Sequence, residues 1–550
     1  MEKRLLLAFV LSAVIFALWS VLFPPPKPPT PAPPVPGEAI PSPTRAAPPG
    51  DAEPPAPVRA PETEPSPVSE QVVQGEVEER VRLVNDDVAV EFTSRGAAIL
   101  SFELLGYTGD EGEQLDLIQT VDHPARSLPL QIVTPDGPDE RLYSVERRGS
   151  RRVAFIWADG GGNRAEKEVE LAEDGFGLEV DLRTRGALLG AAVSIGTGMR
   201  DLGQAERNSR LARWGDVVIL ADGELEEHRR AKLKQSFVVT PQALAYAGFQ
   251  DTYFLSILRP RTAVAEVRVN RVEYQEPAEE GDGELGVAAE VLLLPRGGEL
   301  SGQLLGAPKE YDLLQEIGGG VEQTLDFGVF GPISVLFLKA LWWIYGVVGN
   351  YGVAIILLTV AIRLLLFPLM HTSTVSMRKM QKLQPKIKEI QAKHKKKKQD
   401  QQARAKMNQE MMALYKQEGV NPMGGCLPML VQLPILWALY KLFLNAIELR
   451  HAPFMLWIQD LSAKDPYYIT PILMTATMWL QQRLAPQAGD PQQQRIMRML
   501  PLVFGIMFLQ FPSGLVLYWL TNNVLTIIQQ EVTLHLVGER KRGSDKGGKR

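Results

Sequence analysis

Two periodicities divide this chain. Between about residues 72 and 306, apolar positions alternate with polar ones or form short runs. Val88, Val90 and Phe92 follow a turn at Asp86-Asp87. Val169 and Leu171 lead into Asp174-Gly175, with Leu178, Val180 and Leu182 beyond it, and Thr262–Tyr274 and Leu285–Leu294 are further runs. A period of two bounded by turn residues predicts strands and hairpins. With no regular helical segments between them, these strands read as one antiparallel β-sandwich, closed by a short helix over Lys309–Ile317. Beyond it the pattern changes to long apolar runs. Asn350–His371, NYGVAIILLTVAIRLLLFPLMH, is long enough to cross a bilayer, which takes about 20 mostly apolar residues. Further spans are expected at Met423–Asn445, Tyr467–Gln482, Met497–Phe511 and Ser513–Gln530, the last reaching toward Leu536. Leu5–Phe23 follows Lys3 and Arg4, has no small-residue cleavage site and runs straight into Phe23-Pro24-Pro25-Pro26. It reads as an uncleaved signal anchor.

Composition links these pieces. Residues 24–71 are dominated by Pro, Ala, Glu and Ser, which predicts an extended tether with no core. Ile333–Tyr345, with Trp342, Trp343 and Tyr345, fits a membrane–water boundary and reads as an amphipathic surface helix within a connecting region, residues 321–349. The formal net charge of -5 conceals a strong asymmetry. The insertion at residues 375–420 is crowded with lysine and arginine, including Lys395, Lys396, Lys397 and Lys398, against Glu389, Asp400, Glu410 and Glu418. Positive charge of this density places the insertion in the cytoplasm. Met380, Leu383, Ile387 and Ile390, then Met407, Met411 and Leu414, recur at helical spacing, so an antiparallel helical hairpin is expected. The tail, residues 537–550, is basic too, with Arg540, Lys541 and Arg542. Six crossings, starting from Leu5–Phe23, put both basic sets on the cytoplasmic side and the β domain outside. The single cysteine, Cys426, excludes an intrachain disulfide.

The candidate chemistry lies in the membrane. Arg363 sits well inside its apolar run, where an arginine costs roughly 2.5–3.5 kcal/mol on insertion scales. Such residues face a partner or a water-filled cavity; the alternative is a side chain snorkelling toward the nearer surface. Thr359 lies four residues earlier on the same helix face. Gln432 is expected at a depth similar to Arg363, and Asn522 and Asn523 near the middle of the last span. Converging polar groups suggest a hydrated cavity. Pro428, Pro434, Pro471 and Pro501 break helix hydrogen bonding in or beside the spans, and the freed backbone groups need partners or water. The β domain carries no metal or nucleophile motif. His123 and His228 are isolated, the acids are scattered as on a solvated surface, and Gly318–Gly320 lack the lysine and hydroxyl residue of a phosphate loop. Ser513-Gly514 reads as part of a tight outer turn, because no histidine lies in a span near it. No catalytic residue, metal or cofactor is expected.

The ordered segments NYGVAIILLTVAIRLLLFPL with SMRKMQKLQPKIKEI, NPMGGCLPMLVQLPILWALY, and FPSGLVLYWLTNNVLTIIQQ resemble the core signature of the YidC/Oxa/Alb family of membrane protein insertases, over roughly Phe327–Gln530. LLGAPKEYDLL resembles the end of the periplasmic domain in the branch that has a large one. The resemblance implies a sandwich related to sugar-mutarotase folds, without that activity. It also implies a five-helix core around a hydrophilic groove open to cytoplasm and lipid. Carried over by residue, Arg363 matches the groove arginine, Thr359 and Tyr518 match positions of substrate-contacting helices, and Gln432 matches a polar groove position. The partners implied are nascent membrane proteins, the Sec translocon with its SecDF subunits, the ribosome, the signal-recognition pathway and membrane lipids, with the protein working as a monomer. The hairpin tip at Lys395–Lys398 is more basic than the family pattern. Two rivals remain open, a chaperone or scaffold without insertion activity and a transporter or channel, although no repeated halves of the kind transporters show are visible.

Overall fold

The computed structural model describes residues 71–110, 112–119, 126–200, 213–275, 285–394, 401–419, 427–484 and 491–547. The expected signal anchor, most of the tether, Lys395–Lys398, Cys426 and His123 lie outside the described residues.

Alternation produces the expected strands. Arg164–Leu171 and Gly177–Arg185 pair antiparallel, with Leu171 opposite Leu178 and Val169 opposite Val180. Leu178, Val180 and Leu182 are buried, whereas Asp181 and Arg183 face out. Val264–Gln275 and Leu285–Pro295 form a second long antiparallel pair. Among the described residues the strands make three antiparallel sheets, of four, nine and six strands. All three feed one core: Phe92 and Phe102 from the first sheet, Phe155 and Phe249 from the second, Val267 and Val291 from the third. Each such side chain contributes about 1.5–3 kcal/mol on burial. The scattered charges are not all on a solvated surface. Asp251, Asp216, Asp139, Glu290, Arg200 and Lys167 are all buried. Arg200 Nε donates to Asp251, whose other oxygen accepts the Tyr253 and Phe254 amides at 2.6 Å each. Lys309 Nζ reaches Gln250 Oε1 at 3.0 Å and the Asp251 carbonyl at 3.1 Å.

A short helix α1, Tyr311–Ile317, leaves the sandwich. Gly318, Gly319 and Gly320 all take positive φ (60°, 70° and 86°) and turn the chain toward the membrane part. Side chains resist that conformation, so the glycines serve geometry. Then come α2, Gly331–Val348; α3, Tyr351–Lys393; α4, Gln401–Gln417; α5, Leu427–Asn445; α6, Ile469–Leu484; α7, Pro491–Phe508; and α8, Ser513–Gly547. Of these, α2 and α3 are long and apolar enough to cross a membrane by length and composition. Three elements differ from expectation in their bounds, and the first is α7, which starts at Pro491 rather than Met497 and ends at Phe508 rather than Phe511. The first span and the first hairpin helix are one 43-residue helix, because the His371–Val375 junction contains neither glycine nor proline. The last span likewise runs without a break through the expected tail boundary to Gly547. Beyond the bilayer-length part of α3, Lys386 reaches Glu418 at 2.7 Å, and Lys393 and His394 reach Glu410 at 3.4 and 3.3 Å. These pairs set α4 antiparallel to the end of α3.

The connection between α5 and α6 joins the helices to the sandwich. Ile447 is buried in the β-domain core, and Arg450 Nη1 donates to the Thr108 carbonyl at 2.8 Å. Asn350 caps α3 by accepting from the Val353 amide at 3.0 Å, and it also donates to the Pro453 and Phe454 carbonyls. A Cβ on Gly352 would lie 2.1 Å from the Phe454 ring, so the loop sits directly on the first turn of α3. In this loop Glu448 accepts from Trp342 Nε1 at 3.0 Å. Burial, reinforced by the nearby Glu310 carboxylate, pushes the Glu448 carboxyl up to about 7 from 4.5. Below pH 4.5 both folded and unfolded chains hold this proton. Between there and 7 only the folded chain keeps it, and the resulting stabilisation is lost as pH rises through 7. Glu448→Gln retains an acceptor without the titration. Raising the pH from 5 to 8 should therefore cost the parent about 2 kcal/mol more than the variant, read from denaturant midpoints of the full chain in detergent.

Candidate functional site

Arg363 lies on α3 among apolar neighbours, and its hydrogen bonds all run to α8. Nε donates to Asn522 Oδ1 at 2.7 Å. Nη2 donates to Thr526 Oγ1 at 2.7 Å and, at 3.5 Å, approaches the Asn522 carbonyl. Each acceptor is neutral, and among the described residues no carboxylate pairs with the guanidinium. The positive charge is oriented and solvated by the protein but not cancelled.

The contact belongs to a longer seam. Arg363, Phe367 and His371 recur every four residues on α3, and Tyr518, Asn522, Thr526, Gln529 and Thr533 follow a helical stripe on α8. Gln529 Nε2 donates to the Phe367 carbonyl at 3.4 Å, and His371 Nδ1 lies 3.2 Å from Thr533 Oγ1. The sequence offset between partners stays near 162 along these contacts, as two parallel helices require. Thr526 donates back to the Asn522 carbonyl at 2.6 Å, which leaves its oxygen lone pairs for the arginine.

One turn toward the outer end of α8, Tyr518 is buried against Phe443 and accepts from Gln432 Nε2 at 3.0 Å. Tyr518 and Asn522 thus join α5 on one side to α3 on the other, and bring Gln432 and Arg363 within one turn of each other. Gln432 Oε1 is buried with no hydrogen-bond partner among the described residues. Two residues on, Pro434 lacks the amide that would meet the Leu430 carbonyl. Asn523 turns the other way and donates to Met474 O and Thr477 Oγ1 of α6 at 3.3 and 3.4 Å.

Of Thr359, Arg363, Gln432, Tyr518 and Asn522, all but Thr359 meet through α8. Thr359 does not join them: it is buried, and its hydroxyl donates to the Ile355 carbonyl of its own helix at 2.7 Å. Thr526, Gln529, Thr533 and His371 were not anticipated. The spacing of polar residues after Asn522 carried a signal for the first three, but their partners could be named only with the α3–α8 register in hand. Ser513 fills the structural role expected of it: its amide and hydroxyl both donate to the Ala463 carbonyl, at 2.7 and 2.8 Å. Arg540, Lys541 and Arg542 fall in the last turns of α8, with side chains outside the described set.

Comparison with known proteins identifies the family. The membrane protein insertase YidC of Geobacter metallireducens is 37% identical over 550 residues, an alignment covering 96% of this chain and 98% of that one. The chain belongs to the YidC family of membrane protein insertases. The YidC of Syntrophus aciditrophicus is 35% identical, with 96% and 99% covered. The YidC periplasmic domain model matches residues 80–340, and the 60Kd inner membrane protein model matches residues 343–539. Thr359, Arg363, Gln432, Tyr518 and Asn522 all lie in the latter range. A crystal structure of an active YidC insertase with its first transmembrane domain resolved aligns with 85% of this chain and 95% of its own, at 19% identity and a TM-score of 0.35. Membership makes this an inner-membrane protein with a periplasmic all-β domain.

Proposed function

We propose that this chain inserts membrane proteins, and assists their folding, through a hydrated cationic groove centred on Arg363 and open to cytoplasm and lipid. The observation that carries the reading is a guanidinium inside a bilayer-length apolar helix whose hydrogen bonds end on neutral oxygens. A nascent membrane protein presents an apolar segment and a polar flank, and desolvating the flank is the barrier. A wet groove part-way across lets the flank enter without full desolvation. Arg363 attracts acidic residues of the flank more strongly there than in bulk water. Gln432 Oε1, Tyr518 and Asn522 supply neutral polar groups nearby. The apolar segment then leaves for lipid, at about 25 cal/mol per Å² of apolar surface buried. No nucleotide is needed.

The topology proposed has Leu5–Phe23, α3, α5, α6, α7 and α8 as six crossings, with both termini in the cytoplasm. Although α2 is long enough to span, counting it as a crossing would put the bases after Val375 outside, against the positive-inside pattern. Its exposed Trp343 and Tyr345 suit an interfacial position. The end of α3 with α4 is then a cytoplasmic hairpin, whose bases, with those of the tail, suit ribosomal RNA phosphates or anionic lipid. The Sec translocon with SecDF and the signal-recognition pathway are the further partners proposed, with a monomer as the working unit. The periplasmic domain is read as a mutarotase-like sandwich that has no such activity.

Thiol labelling at position 363 tests the groove. In a Cys426→Ser background, Arg363→Cys should react rapidly with a membrane-impermeant maleimide added from the cytoplasmic side only. Silence from both sides would mean a dry position and end the groove mechanism. Reaction from both sides would indicate a channel.

A further inference from the structure

We propose that the cleft between α6 and α7 is a binding site for one acyl chain of an anionic phospholipid, whose phosphate is held at Arg498. The cleft measures about 720 Å³, and its wall is apolar along most of its length, with Trp479, Met499, Leu502 and Ile506. Its floor is where the two helices touch: a Cβ on Gly505 would lie 2.4 Å from Thr475 Oγ1. That hydroxyl donates to the Pro471 carbonyl at 2.7 Å, so the floor offers no spare donor to a polar guest. Met499, Leu502 and Ile506 keep between 61% and 65% of their surface exposed, and something apolar has to cover them.

Charge and length narrow the occupant. Arg498 is the charged residue of the wall and stands at one end of it, with no hydrogen-bond or ion-pair partner among the described residues. Arg483 lies at the same end on α6, its guanidinium 3.6 Å from the Trp479 ring centre. A tryptophan beside two arginines, whose long side chains reach toward the phosphates, suits the interfacial end of the cleft, and the charge pattern gives this end to the cytoplasm. From Arg498 to Leu509 α7 rises about 16 Å, similar to the reach of one acyl chain, which is half a core about 30 Å thick. A client helix fits less well. At about 10 Å across and 5.4 Å per turn it displaces roughly 400 Å³ per turn, so the cleft holds fewer than two turns. One methylene chain with a negative head matches length, wall and charge together.

The test uses the full chain in phosphatidylcholine vesicles carrying a trace of a photoreactive lipid with a diazirine in its acyl chain. Two probes are compared, identical except for a phosphatidylglycerol or a phosphatidylcholine head. The phosphatidylglycerol probe should label peptides spanning Pro471–Trp479 and Arg498–Leu509 about fivefold more strongly, the preference expected of one basic residue near an anionic surface. Arg498→Glu should bring that ratio to one or below, while Arg498→Lys keeps it. Leu502→Trp, which fills the cleft, should reduce labelling by both probes. Equal labelling by the two heads, or a ratio unmoved by Arg498→Glu, would overturn the site and leave ordinary bilayer contact. Cross-linking of Leu502 to a stalled client helix, with no selective lipid labelling there, would overturn it in favour of a client surface. Because no client is needed for the lipid readout, its failure is separate from any failure of the insertase reading.

Discussion

Arg363→Ala should slow the insertion of clients with acidic flanks about tenfold and leave clients with neutral flanks nearly unchanged. The magnitude follows from the charge. Two unit charges at 4 Å attract by about 4 kcal/mol at an effective dielectric of 20. Water in the proposed groove would take most of that, and about a third remaining is a factor of ten in rate. Folding should survive. The substitution removes charge-assisted bonds to Asn522 and Thr526, worth about 1.5–3 kcal/mol each at most. It also removes an intramembrane charge that costs roughly 2.5–3.5 kcal/mol, so the two changes largely offset. Arg363→Lys keeps the charge but loses the fork that spans Asn522 and Thr526, and should recover most of the acidic-flank rate. Reconstituted insertion of paired clients, scored by protease protection, reads the difference. Equal slowing of both clients would mean that the arginine only holds α3 to α8.

Asp251→Ala should cost the periplasmic domain about 3–5 kcal/mol, the penalty for breaking a buried ion pair by removing one partner. Arg200 and Asp251 are 2% and 0% exposed. The substitution removes the carboxylate that pairs with the guanidinium and also strips the Tyr253 and Phe254 amides of their acceptor. For a domain of this size that is a fall in Tm of about 10 °C or more. Trp214 reports on the site directly, because its Nε1 donates to the Met199 and Arg200 carbonyls at 3.0 and 2.9 Å. Its fluorescence in a thermal scan of the full chain should move with the transition. A loss below about 1 kcal/mol would show that the pair is hydrated in solution, as exposed pairs are.

What the sequence reveals, and what it hides, follows from the range of each interaction. The Val169–Leu182 hairpin is legible because its alternation and its turn are local. The order of strands in the nine-stranded sheet is not, since Glu299–Pro308 inserts beside Gly177–Arg185 from more than a hundred residues away. Arg363 stands out because charge is rare in an apolar run, and Gln432, Tyr518 and Asn522 follow from the resemblance and from depth counted along their spans. Thr526 and Thr533 are ordinary helix residues until α3 supplies partners. Arg200 and Asp251 look like surface charges because nothing local marks a residue as buried beneath a distant strand. The length of α3 is hidden for another reason: polarity changes at His371, but no glycine or proline at 371–375 marks a helix end.

That unbroken α3 has a mechanical consequence. A helix of 43 residues is about 65 Å long, and Pro368 and Pro385 each delete one backbone hydrogen bond inside it; Pro368 is the one next to the seam, and a bend there makes it the pivot nearest the arginine. The arm toward Lys393 is about 37 Å long and the arm toward Arg363 about 7 Å. Deflecting the far tip by 5 Å about that pivot would shift the guanidinium by about 1 Å, enough to break a 2.7 Å bond to Asn522. Force at the tip is thereby felt at the arginine, with α3 working as a lever whose short arm carries it.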